Sequence, residues 1–110
     1  MNIQIFGKAK CFDTKKAERY FKERRIKFQK IDLNQTGMSR GELSRVKAAV
    51  GLEAMIDKSA PGAEIITYLA YDEDKEDKLY ENPVFFKTPI VRNGRQATVG
   101  YCPDVWKSWE

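Results

Sequence analysis

The sequence predicts an α/β fold with a four-stranded mixed sheet and the element order β-α-β-α-β-β-α. Three observations lead to this prediction. The first third alternates polar and apolar residues on both sides of one helical pattern, the last third holds an Asn-Gly turn between two alternating stretches, and the part between them has the spacing of short helices. A chain of 110 residues is expected to form one domain, 1–110, with a helical insertion at about 39–83.

Strand and helix signals follow one another closely in the first third. Residues 2–6 alternate as a strand ended by Gly7, residues 13–25 are rich in helix formers, and residues 27–33 alternate again. Strand, helix and strand over so short a stretch predict a right-handed parallel unit.

The middle segment opens with Ser39-Arg40-Gly41-Glu42, which has the form of a capping box and predicts a second helix that ends at Gly51. Short helices are expected from residue 52 to residue 83, with Pro61 and Gly62 between them. The acidic run 71–77 is interpreted as a solvated helix start or loop rather than a metal site. The apolar face of the second helix is expected to comprise Leu43, Val46, Ala49 and Val50.

The last third predicts an antiparallel hairpin and a final helix. Residues 89–92 and 96–99 flank Asn93-Gly94, the strongest short-range hairpin signal. Cys102-Pro103-Asp104 then has the chemistry of a helix start, because proline suits the first helical position and aspartate favours the positive end of the helix dipole. The residues expected to pack inward from this helix are Val105, Trp106 and Trp109.

Composition narrows the class of protein. An apolar fraction of 42% and a charged fraction of 33% are typical of a folded domain, and no apolar run approaches the roughly 20 residues that cross a bilayer. The start lacks the pattern of a secretory signal, so a cytoplasmic protein without membrane contact is expected. The net charge is +4, and cations are interleaved with carboxylates along most of the chain, which does not favour nucleic-acid binding.

The absence of histidine bears on the chemistry. It excludes Cys-His and Ser-His catalytic pairs and most zinc sites. Two isolated cysteines cannot supply a four-ligand metal site, so no metal is expected, and both are interpreted as thiols.

Cys11 falls between the first strand and the first helix, where thioredoxin-like proteins place their nucleophile. Unpaired backbone N–H groups and the helix dipole stabilise a thiolate there, so the pKa of Cys11 is expected to lie below that of a free thiol. The alternative is a buried, inert cysteine on a loop. The lysines that add positive potential are Lys8, Lys10, Lys15 and Lys16.

Four stretches in this order resemble the arsenate reductase (ArsC-like) family, a family with the thioredoxin-like fold. They are residues 10–17 around Cys11, Ile31-Asp32-Leu33, Thr88-Pro89-Ile90-Val91 and Val99-Gly100-Tyr101. The resemblance implies that Cys11 is the nucleophile and that Pro89 follows a cis peptide bond beside it. The family also includes Spx-type transcription regulators.

The chain departs from the family at the arginines that hold an oxyanion. Thr88 stands where arsenate reductases have an arginine, and its hydroxyl can donate one hydrogen bond but brings no charge. The stretch 54–71, where a second arginine is expected, contains Lys58 but no arginine. Arg95 is then the better candidate for the third anion-binding arginine, and a solvated surface residue is the alternative interpretation. Efficient arsenate reduction is therefore not expected.

A second departure concerns the partner of the nucleophile. Thr14 occupies the second cysteine position of a C-x-x-C motif, where it can hydrogen-bond a Cys11 thiolate but cannot resolve a mixed disulfide. Turnover would need another thiol, either glutathione or Cys102. We expect Cys102 on the same edge of the fold as Cys11, with the following helix favouring its thiolate. The alternative is a structural cysteine with no redox role.

The sequence therefore predicts a thiol-dependent oxidoreductase with Cys11 and Thr14 as catalytic residues and Cys102 as a possible resolving thiol. Its partners would be a small-thiol or thioredoxin-type reductant, such as glutathione, and a small anionic or oxidised substrate, with no bound cofactor. The alternative function is a non-catalytic Spx-like regulator that docks on RNA polymerase. The predicted substrate- or anion-binding residues are Lys8, Lys15, Thr88, Pro89 and Arg95.

Overall fold

The computed structural model describes residues 1–110 and has the predicted order of strands and helices. None of its helices combines the length and the apolar character needed to cross a membrane. The strands are β1 (Ile3–Gly7), β2 (Phe28–Asp32), β3 (Ile90–Asn93) and β4 (Gln96–Val99). The helices are α1 (Phe12–Glu23), α2 (Arg40–Val50), α3 (Glu64–Thr67), α4 (Asp72–Glu81) and α5 (Pro103–Trp109), with single 3-10 turns at Glu53–Met55 and Pro83–Phe85.

The four strands form one sheet in the order β2-β1-β3-β4. β1 pairs with β2 in parallel and with β3 antiparallel, and β4 returns antiparallel to β3. The predicted four-stranded mixed sheet of the thioredoxin-like fold is confirmed.

Successive residues of the central strands point to opposite faces of the sheet, which gives the protein two cores. Phe6 and Ile90 pack against the helical segment of residues 38–86, whereas Ile5 and Val91 pack against α1 and α5. Both central strands are therefore buried on each face.

The capping box predicted for α2 is present. Ser39 accepts a hydrogen bond from the backbone N–H of Glu42, and the Glu42 carboxylate accepts one from the backbone N–H of Ser39. Partial burial raises the pKa of Glu42, but the hydrogen bonds from Ser39 and Gln4 and the nearby Arg92 guanidinium lower it below its ordinary value. The start of α2 is thereby joined to β1 and β3.

Three local predictions were wrong: the position of the hairpin loop, the burial of Ala49 and the burial of Val105. The hairpin loop consists of Gly94 and Arg95 rather than Asn93-Gly94, because Asn93 pairs with Gln96 and Gly94 alone has a positive φ of 63°. Ala49 and Val105 are exposed, since each lies on the solvent side of its helix. In α5 the buried anchor is Trp106, with Trp109 half-buried beside it.

Candidate active site

Cys11 is the N-cap residue of α1, at the end of the sheet where β1 stops. Its φ of −89° and ψ of 115° are extended, and its side chain makes no capping hydrogen bond in the thiol form. Its N–H donates to the carbonyl of Lys8 over 3.1 Å, which closes the loop between β1 and α1 tightly. The free N–H groups of the first turn of α1 therefore point toward the sulfur.

The pKa of Cys11 is lower than that of an ordinary cysteine. Partial burial raises it, but hydrogen bonds from the side chains of Thr14 and Thr88 and from the backbone N–H groups of Thr14 and Asp13 outweigh the burial. The protonated thiol lies 3.6 Å from the carbonyl oxygen of Thr88. Because the stabilising groups are donors at a helix N-terminus, they favour the thiolate over the thiol.

Thr14 is held in place by a close approach to β1. It is 3% exposed, and its hydroxyl lies 3.5 Å from the N–H of Lys8. A Cβ at Gly7 would come within 2.7 Å of the Thr14 Oγ1 atom, so only glycine fits at the end of β1.

Gly7→Ala is therefore expected to lower the free energy of unfolding by about 1–3 kcal/mol, because the new methyl group displaces Thr14. It is also expected to raise the pKa of Cys11, since Thr14 moves away from the sulfur. Urea unfolding measures the first effect and thiol alkylation across pH the second. Gly41→Ala is the matched control, because a Cβ at Gly41 meets nothing within 4 Å. Equal stability of the two variants would contradict the close approach.

An open cleft of about 640 Å³, the Cys11 cleft, surrounds the sulfur. Sequence reasoning missed three of its residues: Asn34, Asp57 and Lys87. Asp57 and Lys87 belong to two segments joined by a bridge between Ile56 and Phe86, a contact that no local pattern signals. Adjacency to Thr88 was the only signal for Lys87. The cleft is lined by Lys8, Ala9, Lys10, Cys11, Asn34, Asp57, Lys87 and Thr88.

The Cys11 cleft is electropositive. Hydrogen bonds from Ser59 lower the pKa of Asp57, partial burial raises it, and the charges of Lys8 and Lys87 lower it further, so Asp57 is a carboxylate at neutral pH. This single negative charge faces three lysines of the same cleft, Lys8, Lys10 and Lys87. The arrangement favours a ligand with negative charge.

Lys8, a predicted anion-binding residue, lines the Cys11 cleft, and its ammonium group also contacts the protein itself. Its ammonium group donates to the carbonyl oxygens of Val84 and Phe86 over 2.7 and 3.0 Å. It therefore fastens the loop before Cys11 to the segment that leads into Thr88. Lys10 and Lys87 are the exposed cations of the cleft.

Two other predicted anion-binding residues lie outside the Cys11 cleft. Lys15 borders a separate, smaller cleft that includes Gly7, Glu18 and Asp32. Arg95 lies at the opposite end of the sheet, because β3 pairs Ile90 with Phe6 near Cys11 and runs away from it to the hairpin loop. The predicted participation of Arg95 is corrected for that reason.

Thr88 and Pro89 are beside Cys11, as predicted, and the peptide bond between them is cis. Pro89 is buried, and its carbonyl oxygen accepts a 2.8 Å hydrogen bond from the N–H of Gly100. This bond brings the segment that carries Cys102 back to the end of the sheet where Cys11 lies.

Cys102 has the opposite environment to Cys11. Its thiol donates to the carbonyl of Val99 over 3.4 Å and packs against the core beside α1 and α5. Burial raises the pKa of Cys102, a hydrogen bond from Thr98 lowers it in part, and the charge of Asp13 raises it again. The expectation of a thiolate at Cys102 is therefore wrong, because burial and the charge of Asp13 outweigh the hydrogen bond from Thr98.

The described residues contain no group of three or more Cys, Asp or Glu side chains placed to hold a metal ion. What the site offers is one accessible, acidified thiol, hydroxyl and backbone donors around it, and two free lysines. Such a group can attack an electrophilic sulfur or another soft, oxidised centre whose surroundings carry negative charge.

Comparison with known proteins reveals similarity at the level of structure. Neither the protein-family models nor the curated proteins give a match to this sequence. Among solved structures, an arsenate reductase from Vibrio cholerae has a TM-score of 0.83 at 24% identity, covering 98% of this chain and 97% of that one. The YffB protein has a TM-score of 0.83 at 22% identity and covers 97% of both chains.

A more distant structure is the glutaredoxin-like NrdH-redoxin from Escherichia coli, with a TM-score of 0.52 at 14% identity over 100% of this chain and 96% of that one. At these identities the structural similarity establishes a shared fold. This chain has the thioredoxin-like fold that the arsenate reductase from Vibrio cholerae and the glutaredoxin-like redoxin also have.

Proposed function

We propose that this protein is a thiol-dependent oxidoreductase that uses Cys11 as its nucleophile. The observation that carries the proposal is the position of Cys11 at the N-cap of α1, where donors from Thr14, Asp13 and Thr88 lower the pKa of a thiol that opens onto a cleft. The fold shared with an arsenate reductase and a glutaredoxin-like redoxin supports the same class of chemistry.

The reaction that fits the cleft is reduction of a mixed disulfide between glutathione and another thiol. The Cys11 thiolate attacks the glutathione sulfur, a new disulfide forms between Cys11 and glutathione, and the other thiol leaves as a thiolate that takes up a proton. A second glutathione thiolate then attacks the glutathione sulfur bound to Cys11. This step releases glutathione disulfide and regenerates the Cys11 thiolate.

An external thiol is the better resolving group in this scheme. Thr14 has no sulfur, and the raised pKa of Cys102 leaves little of it as the thiolate that exchange requires. Lys10 and Lys87 are suited to bind the carboxylates of glutathione beside Cys11, with Asn34 as a further hydrogen-bonding group. Thr88 in place of a charged donor favours such a ligand over a small, highly charged oxyanion.

The pH dependence of alkylation tests the proposal directly. In Cys102→Ser protein, where Cys11 is the only thiol, the rate of reaction with iodoacetamide should reach half its maximum below about pH 8.5, the value of a free thiol. Adding Thr14→Val removes the hydroxyl donor and should lower the rate at pH 7 about tenfold, because a hydrogen bond to a charged group contributes about 1.5–3 kcal/mol.

A midpoint at or above the free-thiol value would contradict the proposed activation of Cys11. That result, together with no reduction of glutathione mixed disulfides, would favour the non-catalytic regulator that docks on RNA polymerase.

A further inference from the structure

One solvent-facing side of α1 carries an aromatic residue and three cations, with Glu23 as the one exposed carboxylate at its C-terminal end. Phe12 directly follows Cys11 and is 79% exposed. Lys15, Arg19 and Lys22 follow it at intervals of three, four and three residues, which place all four side chains on one side of the helix. All three cations are exposed, and we name them the α1 basic face.

The charge of the α1 basic face is not neutralised within the protein. None of its three cations has a carboxylate within 4.0 Å, whereas the neighbouring Lys16, Arg24 and Lys30 all do. The segment 8–30 holds 10 of the 20 Lys and Arg residues but 3 of the 16 Asp and Glu residues, so its net charge is +7 against −3 for the rest of the chain. Positive charge is therefore concentrated along α1.

We infer that the α1 basic face, with Phe12, is a docking surface for an acidic protein whose cysteine is delivered to Cys11 as a mixed disulfide. The inference rests on the proposed function and names its substrate class. Because the α1 basic face is positively charged, its partner should carry negative charge. Because the face begins next to Cys11, the partner's cysteine should lie at the end of the partner's acidic surface.

The length of the surface favours a macromolecule. Eleven residues of helix separate Cys11 from Lys22, which is about 16 Å at 1.5 Å per residue. A small thiol bound to the Cys11 cleft cannot reach Lys22 at that distance. A polypeptide that carries acidic residues on one side of its cysteine can contact Phe12, Lys15, Arg19 and Lys22 together.

A protein suits this surface better than a nucleic acid does. The nucleophile at its end requires an electrophilic sulfur, which nucleic acids lack.

The test compares two peptides that differ only in charge. Each has one cysteine in a mixed disulfide with glutathione; one carries three glutamates beside the cysteine and the other carries three glutamines. With glutathione as reductant at low ionic strength, kcat/KM is expected to be about tenfold higher for the acidic peptide. The ratio should approach one at about 0.5 M salt, since screening at that concentration is effective within a few ångströms.

Charge variants of α1 test whether the α1 basic face causes the preference for the acidic peptide. Arg19→Glu with Lys22→Glu should bring the ratio of the two rates to one or below, and Arg19→Gln with Lys22→Gln should give an intermediate ratio if the reversal variant folds poorly. The matched control is Arg45→Glu with Lys78→Glu, which makes the same change in net charge at exposed positions without ion pairs on α2 and α4. The control should keep the preference.

The outcomes separate the two proposals. Equal turnover of both peptides by the unmodified protein overturns the docking surface and leaves the oxidoreductase standing, whereas no turnover of either peptide overturns both. Gel filtration and oligonucleotide-binding assays test whether a second copy of the protein or a nucleic acid binds the α1 basic face instead. The inference would also be overturned if Arg19→Glu with Lys22→Glu abolished self-association or oligonucleotide binding but left the ratio of the two peptide rates unchanged.

Discussion

Cys11→Ser is expected to lower kcat/KM for glutathione mixed disulfides by at least about 10³-fold while leaving the protein as stable as before or more so. The loss follows because a serine hydroxyl is neither ionised at neutral pH nor able to form and leave a disulfide. The stability follows because serine is a preferred N-cap residue, and residue 11 has the extended backbone of an N-cap whose cysteine side chain makes no capping hydrogen bond. A serine Oγ would accept from the N–H of Thr14.

These two effects of opposite sign distinguish a nucleophile from a structural cysteine. Loss of activity is measured with the glutathione mixed-disulfide assay and stability by urea unfolding. Cys102→Ser is the matched control and should retain turnover, because glutathione resolves the intermediate. Retention of activity in Cys11→Ser would contradict the proposed function, and its loss in Cys102→Ser would show that Cys102 resolves the disulfide after all.

Trp106→Ala is expected to lower the free energy of unfolding by about 3–5 kcal/mol, the range for large aromatic residues removed from a core. Trp106 is fully buried, and its ring lies 5.2 Å from each of the rings of Tyr20 and Phe21. Its indole N–H donates to the hydroxyl of Thr98 over 2.8 Å. Helix α5 has seven residues, so its attachment depends on this side chain rather than on intrinsic helix stability.

Urea unfolding followed by far-ultraviolet circular dichroism measures the effect. Trp109→Ala is the matched control, because Trp109 lies on the same helix but is half-buried, so its loss should cost about 1–2 kcal/mol. Trp106→Phe keeps an aromatic ring but leaves the Thr98 hydroxyl without its donor, and an intermediate loss is expected. Equal losses for Trp106→Ala and Trp109→Ala would show that α5 is not anchored by Trp106.

Local signals in the sequence were sufficient for the elements and for the nucleophile. The capping box at Ser39, the hairpin before Gln96 and the position of Cys11 before α1 depend on residues within a few positions of one another. The hairpin loop lies one residue later than predicted because Gly94, and not Asn93, has a positive φ. The Asn-Gly dipeptide alone does not determine which of the two residues adopts this conformation.

Long-range geometry accounts for what the sequence did not predict. Arg95 is close to Thr88 along the chain, but the strand between them spans the sheet and separates them. Lys8 was recognised as a charge near Cys11, yet its two carbonyl partners lie more than 70 residues away. Asp57 enters the Cys11 cleft through a bridge between Ile56 and Phe86, and no motif marks such a contact.

The order of the strands also bears on how the protein avoids aggregation. β2 lies at one edge of the sheet, where its backbone groups are available to a strand of another molecule. Its centre exposes Gln29 and Lys30, and Lys27 precedes it. Charged side chains on an edge strand oppose pairing between molecules, so these lysines protect the folded protein at high concentration independently of the thiol chemistry.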